Sequence, residues 1–202
     1  MKTLTKSETT IARVLAAAGT LFVAKNYAEV TMEHIAEAAH VSKGALYHHF
    51  SSKEELYLAL MHADLAEKKA LFRRGIDAAT GCRERLRGLT TSFFNLPASK
   101  RRIISLVRRD INIFDEPART GLVRAYQAAL PELVEEVIRD GIRGGELAAA
   151  DPRLLSWHFV AMVEVTLTPY ADTLFEETDS RVDYLLDLFL SGATAPQPGE
   201  NE

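Results

Sequence analysis

The chain has 202 residues, which is enough for one large or two small domains with a hydrophobic core. Its composition, with 47% hydrophobic residues, 26% charged residues and a formal net charge of −4, excludes a low-complexity chain and gives no bulk-charge sign of a nucleic-acid binder. No apolar run approaches the roughly 18 residues of a membrane span. A single cysteine, Cys82, indicates a reducing compartment, and Glu8 and Arg13 make the N-terminal segment unlike a signal peptide, so we predict a cytoplasmic protein.

Helical periodicity runs through almost the whole chain, and no alternating strand pattern is seen. A capping box formed by Thr5 and Glu8 predicts the start of a first helix, which ends at Asn26. Thr31 is the predicted N-cap of a short second helix, and Ser42 is the predicted N-cap of a short third helix. A tight turn, residues 40–42, separates these two short helices.

A long fourth helix follows and connects the first part of the chain to the rest. It begins at a second capping box, Ser52 to Glu55, and runs to about Ala79. Prolines and glycines then divide the remaining sequence into four or five longer helices. Their predicted boundaries lie at Pro97, Pro117, a kink at Pro131, Gly144-Gly145, Asp151-Pro152 and the segment after Asp179.

This pattern predicts an all-α fold of about nine helices. Residues 1–60 form a three-helix head whose helix-turn-helix motif covers about 31–50, since two short helices joined by a tight turn are typical of that motif. The long helix joins the head to a helical bundle over residues 61–193. Residues 194–202 are polar and are predicted to be a disordered tail.

The third helix has two chemically different faces. Leu46 and Phe50, four residues apart, form an apolar face that is expected to pack inside the head. Lys43 and Tyr47 lie on the opposite face together with His48, and no acidic residue occurs between residues 38 and 53. A basic face at a helix N-terminus suits phosphate oxygens, so we expect this face to lie against a polyanion.

Two less specific interpretations of the same segment stay open. A pair of short amphipathic helices is common in any helical bundle, and the adjacent histidines could simply be solvated. A metal site is not predicted, because His34, His48 and His49 lack a third ligand at a convincing spacing. We predict no cofactor.

The stretch "TMEHIAEAAHVSKGALYHHFSSKEELYLAL" closely resembles the DNA-binding signature of the tetracycline-repressor (TetR) family of transcriptional regulators. The resemblance covers about residues 7–60, and so many fixed spacings make it specific. The residues that carry it are Thr31, Ile35, Ala36, Ala39, Val41, Ser42, Gly44, Tyr47, Phe50, Lys53 and Leu56.

The resemblance implies a DNA-binding site on the third helix and its flanks. Thr31 and Lys53 would contact the DNA backbone from either side. His40 occupies the turn position where the family usually has glycine, so the turn is expected to hold a left-handed backbone at some strain. The residues expected to face the operator are Ser42, Lys43, Gly44, Ala45, Tyr47 and His48.

The larger part of the chain carries no convincing catalytic set, so we predict that the protein is not an enzyme. Ser156 and His158 are two residues apart on one predicted helix and point to different faces, which makes a hydrolytic triad improbable. The helix containing them is apolar nearly all round. One of its faces is therefore expected to pack in the domain interior and another to contact a partner. The last predicted helix adds a narrower apolar stripe. We expect a homodimer interface on these two helices, with a buried monomer core as the alternative. The interface candidates are Val163, Leu167, Leu186 and Phe189.

The resemblance also implies a small-molecule pocket between the middle helices, where binding separates the two recognition helices. An apolar or aromatic inducer is the prediction. Arg108 and Arg109 could meet an acidic ligand, although a solvated surface or an ion pair with Asp110 is the simpler role. The pocket candidates are Phe93, Phe94, Val107, Asn112, Tyr126, Leu130, Trp157, His158, Met162 and Glu164.

The function expected from these observations is a ligand-responsive transcriptional regulator, in the first place a repressor, that binds a palindromic operator as a dimer and is released by an inducer. A DNA-binding factor of the same fold that answers to a protein partner or activates transcription is the alternative. A helical enzyme or structural bundle without DNA binding is the third hypothesis, and it predicts no salt-dependent affinity for duplex DNA.

Overall fold

A computed structural model describes residues 5–193 and confirms the all-α fold class, with no β-strand in that range. Two short 3₁₀ turns, Tyr27–Glu29 and Ile111–Ile113, supplement the α-helices. The predicted disordered tail, residues 194–202, lies outside the described residues. The helices are α1 (Lys6–Ala24), α2 (Met32–Ala38), α3 (Lys43–His49), α4 (Lys53–Asp77), α5 (Cys82–Phe94), α6 (Ala98–Asp110), α7 (Ala118–Ala129), α8 (Pro131–Arg143), α9 (Pro152–Val165), α10 (Pro169–Leu174) and α11 (Thr178–Ala193).

Two prolines account for the excess of helices over the predicted nine. Pro131 starts α8 as a separate helix rather than kinking a continuous one, and Pro169 starts α10 after α9 has ended at Val165. Proline has no N–H to donate and suits the first turn of a helix, where that donor has no partner.

The predicted N-caps are present. The N–H of Thr5 donates to the Glu8 carboxylate at 2.7 Å, and the N–H of Glu8 donates to the Thr5 hydroxyl at 3.2 Å, which completes the first capping box. The side chains of Thr31 and Ser42 each accept the N–H of the third residue that follows, at 3.2 Å and 3.1 Å. These bonds satisfy donors that the first turn of a helix leaves free and so define where α1, α2 and α3 begin.

The cap of α4 differs in one detail from the prediction. The Ser52 hydroxyl accepts the N–H of Glu55 at 3.1 Å, as expected. The Glu55 carboxylate, however, accepts from the backbone N–H and the hydroxyl of Ser51, at 2.8 Å and 2.6 Å. The helix begins at Lys53, one residue after the predicted cap, and ends at Asp77.

Residue contacts divide the described chain into two compact units. One unit contains the residues up to Leu65 together with Pro97–Ala125, and the other contains Ala66–Leu96 and the residues from Tyr126 onward. The predicted boundary at residue 60 stays a prediction. The grouping of α6 with the N-terminal helices could not be anticipated, because residues 66–96 of the other unit separate them in the sequence.

The N-terminal unit is built around one face of α1. Val14, Ala18 and Phe22 of that helix are fully buried, and Ile35 of α2 and Leu46 of α3 are buried in the same unit. Burying each of the larger side chains, Val14, Phe22, Ile35 and Leu46, contributes about 1.5–3 kcal/mol of transfer free energy. An aromatic cluster extends this core, in which neighbouring ring centroids lie 4.7–5.8 Å apart; its members are Phe22, Tyr27, Tyr57 and Phe114.

The second unit depends on a close approach of α4 and α5. A Cβ atom on Gly88 would lie 2.2 Å from the carbonyl oxygen of Gly75, and a Cβ atom on Gly75 would lie 2.5 Å from the carbonyl oxygen of Gly88. The two backbones can therefore cross at this point only because neither residue has a side chain. Arg73 also holds α4 to α8, since its guanidinium donates to both carboxylate oxygens of Glu136 at 2.7 Å and 2.8 Å.

Candidate nucleic-acid interface and ligand-binding region

The turn between α2 and α3 has the left-handed backbone that was expected. His40 has a φ of 52° and is the only non-glycine residue with a positive φ among residues 5–193. Its N–H donates to the carbonyl of Glu37 at 3.0 Å, and the N–H of Val41 donates to the carbonyl of Ala36 at 3.0 Å. These two bonds cap the C-terminal end of α2, and the chain turns there toward the start of α3.

The structure exposes the face of α3 that the sequence predicts for DNA. Leu46 and Phe50 are buried in the head, whereas the Tyr47 side chain is 47% exposed. A Cβ atom on Gly44 would meet nothing within 4 Å, so this face is open beside its backbone. Of the other residues expected there, Ser42, Lys43 and His48 are exposed and Ala45 is half-buried.

An acidic residue from another helix reaches this face. The Lys43 ammonium pairs with the carboxylate of Glu33 on α2 at 2.9 Å, although both side chains remain at least half exposed. Lys43 holds the pKa of Glu33 below its usual value, chiefly by hydrogen bonding. The acid-free segment in the sequence is thus not an acid-free surface in the folded head.

The two residues expected to contact the DNA backbone are both engaged within the protein. The Lys53 ammonium donates to the carbonyls of Tyr27 and Val30, at 2.8 Å and 2.9 Å, and lies 4.2 Å from the centre of the Tyr27 ring. Thr31 is exposed, but its hydroxyl caps α2 by accepting from the N–H of His34. An ammonium has three N–H donors, so one N–H of Lys53 is not accounted for by these two bonds.

The histidines of the head form no metal site in the described residues. His48 and His49 have ring centroids 5.1 Å apart at the end of α3. No group of three or more His, Cys, Asp or Glu side chains that could hold a metal ion occurs between residues 5 and 193.

The second unit carries an apolar groove between α9 and α11. Its volume is about 620 Å³, and apolar side chains dominate its walls. Several large apolar side chains on the same helices and on α10 are about half exposed or more, namely Leu154, Trp157, Val165, Tyr170, Leu174, Tyr184 and Leu188. Three of these, Val165, Tyr184 and Leu188, also line the groove, and large exposed apolar patches often mark interaction sites. The residues lining the groove are Leu155, His158, Ala161, Met162, Val165, Thr166, Tyr184, Leu185, Leu188, Phe189 and Gly192.

The residues expected at a dimer interface lie mostly beneath this surface. Val163 and Leu186 are buried within the protomer, Leu167 is half-buried, and Phe189 is 6% exposed while lining the groove. The exposed apolar positions of α9 and α11 alternate with these buried ones at helical spacing. Periodicity alone could not tell the two sets apart, because both consist of large apolar residues.

The candidate pocket residues fall into separate groups. Phe93, Phe94 and Leu130 are buried core residues of the second unit, and Val107 is buried in the N-terminal unit. Asn112 is exposed in the 3₁₀ turn after α6. The remaining candidates, Tyr126, Trp157, His158, Met162 and Glu164, belong to α7 and α9 of the second unit.

Among these, Tyr126 and Glu164 form a polar pair in the second unit. The Tyr126 hydroxyl donates to the Glu164 carboxylate at 3.3 Å, and both residues are half-buried. His158 and Trp157, in contrast, are exposed on α9. At the end of α6, Arg109 forms the ion pair with Asp110 that the sequence suggested. It donates to both carboxylate oxygens of Asp110 at 2.7 Å.

The sequence did not indicate two residues that lie near the exposed face of α3. Glu33 approaches Lys43 from α2, and Arg13 of α1 donates to the carbonyls of the α2–α3 turn. Both contacts join residues on different helices, so no local motif could reveal them. Between residues 5 and 193, no helix is both long enough and apolar enough to cross a membrane.

Comparison with known families identifies both parts of the chain. Residues 14–60 match the family model described as "Bacterial regulatory proteins, tetR family". Residues 79–173 match the model described as "Tetracyclin repressor-like, C-terminal domain". The first match includes the whole of the predicted helix-turn-helix motif.

Three similar proteins illustrate the range of relatives. The HTH-type transcriptional activator FasR of Mycolicibacterium smegmatis is 40% identical over 83 residues, which span 41% of this chain and 38% of FasR. The HTH-type transcriptional regulator UidR of Escherichia coli is 28% identical over 147 residues, 71% of this chain and 72% of UidR. The structure of FadR from Bacillus subtilis in complex with stearoyl-CoA has a TM-score of 0.76 at 18% identity, and the match covers 90% of this chain and 98% of FadR.

The similarity to FadR shows the fold alone at that level of identity, and the match to FasR covers less than half of that protein's length. The two family matches are independent of both and lie on successive parts of the chain. This chain therefore belongs to the TetR family of helix-turn-helix transcriptional regulators.

Proposed function

We propose that this protein is a ligand-responsive transcriptional regulator that binds a palindromic DNA operator as a homodimer, through α3 of each protomer. The observation that carries the proposal is the open face of α3, where Lys43, Tyr47 and His48 are all exposed. A helix with a basic, solvent-facing side at its N-terminus fits the major groove, and its first turn offers free N–H groups to phosphate oxygens. In this proposal Ser42, Gly44 and Ala45 also face the operator.

The two flanking residues receive different roles. Thr31 stands at the exposed N-terminus of α2, so its hydroxyl is available to a DNA phosphate beside the capping bond. Lys53 contributes first by holding the start of α4 against Tyr27 and Val30. A phosphate contact through its remaining N–H is compatible with that role.

The dimer of this proposal uses the exposed apolar surface of α9, α10 and α11. Large side chains such as Trp157, Tyr184 and Leu188 are each about half exposed there, beside a groove of about 620 Å³. Covering such a surface with a second copy removes apolar area from water. Two recognition helices about 34–36 Å apart would then meet successive major grooves on one side of the duplex.

The proposed inducer is a mostly apolar or aromatic small molecule. A ligand that binds better to an arrangement with the recognition helices at the wrong spacing shifts the population toward that arrangement and releases DNA. Moving the equilibrium from mostly bound to mostly released needs about 5 kcal/mol of differential affinity. FadR was solved with stearoyl-CoA, whose acyl chain belongs to this apolar class, so this compound is a suitable first probe.

Repression is the first form of the proposal and activation is the second, because FasR is named a transcriptional activator. The proposal includes no catalytic activity and places the protein in the cytoplasm with the DNA. The decisive test is selection of bound fragments from random or genomic duplex DNA, followed by anisotropy at several salt concentrations. A palindromic consensus with steep salt dependence is expected; absence of any salt-dependent affinity for duplex DNA refutes the proposal.

Release by ligand is tested on the selected duplex. Stearoyl-CoA, stearate and coenzyme A are added separately at matched concentrations. Release of DNA by stearoyl-CoA alone indicates that the protein binds both the acyl chain and the coenzyme A group. If none of them releases DNA, a thermal-shift screen of apolar and aromatic metabolites is the next step. If the protein binds its operator but no small molecule changes its unfolding temperature, that result supports control by a protein partner instead.

A further inference from the structure

The turn that leads into α3 has a side chain at a position that glycine usually occupies. In such a turn the residue after the helix cap adopts a left-handed backbone, which costs an L-residue more than glycine. His40 adopts it, with a φ of 52°, and both turn bonds back to α2 are formed. The turn therefore carries strain, and some other contact must help to hold it in this conformation.

Arg13 of α1 provides that contact. Its Nη2 atom donates to the carbonyl of Ala39 at 2.6 Å and to the carbonyl of His40 at 3.0 Å. These are the two carbonyls of the turn itself, the first at the cap of α2 and the second at the strained residue. A guanidinium nitrogen carries two N–H groups, so one atom can serve both acceptors with charge-assisted bonds.

We propose that Arg13 is a positioning residue for DNA recognition, which holds the left-handed turn at His40 and thereby sets the angle at which α3 meets DNA. The inference rests on the proposed function, because the angle of α3 matters only if that helix reads a groove. It assigns Arg13 a role in the shape of the head and none in direct contact with DNA.

A phosphate contact is the competing role, since Arg13 is an exposed cation on the head. The two roles differ in salt dependence. Loss of a phosphate contact lowers the slope of log affinity against log salt by about 0.9, whereas loss of a positioning bond weakens binding without changing that slope. The two roles also predict different effects of a substitution at position 40. Only in the positioning role does the loss of affinity caused by removing Arg13 depend on the strain at His40.

The test measures anisotropy of the duplex selected by the wild-type protein, at several salt concentrations. Arg13→Ala is expected to weaken binding about tenfold or more at unchanged salt slope, because two charge-assisted bonds are lost. Adding His40→Gly to Arg13→Ala is expected to restore most of the affinity, since glycine holds the left-handed turn unaided. Lys25→Ala removes the same charge from the exposed end of α1 and serves as the matched control, with less than a twofold change expected.

A second variant keeps the test decisive if Arg13→Ala unfolds the head. Arg13→Lys retains the charge, but the lysine side chain is shorter, so its ammonium is not expected to reach both turn carbonyls. The positioning role predicts that Arg13→Lys also weakens binding. Wild-type affinity in either single variant, a salt slope reduced by about one, or no rescue by His40→Gly in a folded double variant would each overturn the inference.

Hydrogen exchange on the free protein separates this inference from the proposed function. The amide of Val41 donates to Ala36 across the turn, so its exchange reports on the turn directly. Arg13→Ala is expected to speed that exchange about tenfold or more relative to Lys25→Ala, with or without DNA binding. If the wild-type protein binds no duplex, the proposed function fails while this measurement still decides whether Arg13 holds the turn; unchanged exchange would refute the inference by itself.

Discussion

The hydroxyl of Tyr57 on α4 donates a 2.6 Å hydrogen bond to the carboxylate of Asp110 at the end of α6. Both residues are buried, and Arg109 donates to the same carboxylate while its Nη2 atom also reaches the carbonyl of Phe22 near the end of α1, at 3.1 Å. One buried charge thus connects three helices of the N-terminal unit. Such a network is costly to disturb, because any partner left behind stays buried without its hydrogen bond.

Tyr57→Phe is expected to lower the free energy of unfolding by about 1–3 kcal/mol, because Asp110 loses a buried donor. Burial, together with the bond to Asp110, raises the pKa of Tyr57 well above its usual 10. The unfolded chain therefore loses the phenolic proton first, and wild-type stability should fall as the pH rises past about 10. Urea unfolding at pH 7 to 11 measures both effects.

Two outcomes would contradict this prediction. Tyr47→Phe, at an exposed position, should leave stability within about 0.5 kcal/mol and provides the control. If Tyr57→Phe matches that control at pH 7, the bond to Asp110 contributes nothing measurable. If the decline above pH 10 is as steep in Tyr57→Phe as in the wild type, it comes from other groups, such as Cys82, whose pKa burial raises to about 12.

Substitution of the exposed face of α3 should weaken DNA binding without unfolding the protein. We expect Tyr47→Ala and Lys43→Ala each to raise Kd for the selected duplex by about tenfold, which corresponds to one good contact of about 1–3 kcal/mol. Both side chains are exposed and carry no core packing. Gel shift at matched salt, with thermal unfolding as the check on folding, measures the effect; wild-type affinity in both variants would exclude this face.

Glu33→Gln should strengthen DNA binding. The carboxylate pairs with Lys43 at 2.9 Å in the free protein and would lie close to the phosphates of a bound duplex. Its removal frees the ammonium and removes a like-charge repulsion, so Kd should fall by about threefold to tenfold at low salt. The gain should shrink as salt rises. Glu37→Gln on the same helix is a matched control, and an equal gain there would show a general charge effect only.

A charge on the exposed apolar surface should produce monomers. Leu188→Asp and Tyr184→Asp place the charge at positions that are about half exposed in the protomer. The protomer should therefore still fold, but burying the charge in the proposed dimer interface would be unfavourable. Light scattering measures the mass. Leu186→Asp is the contrasting variant, because Leu186 is fully buried and the charge should unfold the chain instead. Dimers that persist in both exposed-site variants would place the interface elsewhere.

Much of the secondary structure was readable from local chemistry. The caps at Thr5, Thr31 and Ser42 form as predicted, because a cap bond joins residues only three apart. The length of α4 was also close to the prediction. The break at Pro131 was foreseen only as a kink, because proline can either bend a helix or begin one and the sequence does not say which.

The sequence by itself determined the helical class, the positions of most helix starts and the family to which the head belongs. These follow from residues that are close together in the chain, where spacing and backbone preference decide the outcome. Only the tertiary structure decided that Glu33 faces Lys43, that Arg13 holds the turn, and which apolar residues of α9 and α11 are exposed. The reason is that each of these depends on the angle and rotation of one helix against another, which side-chain packing sets and periodicity leaves open.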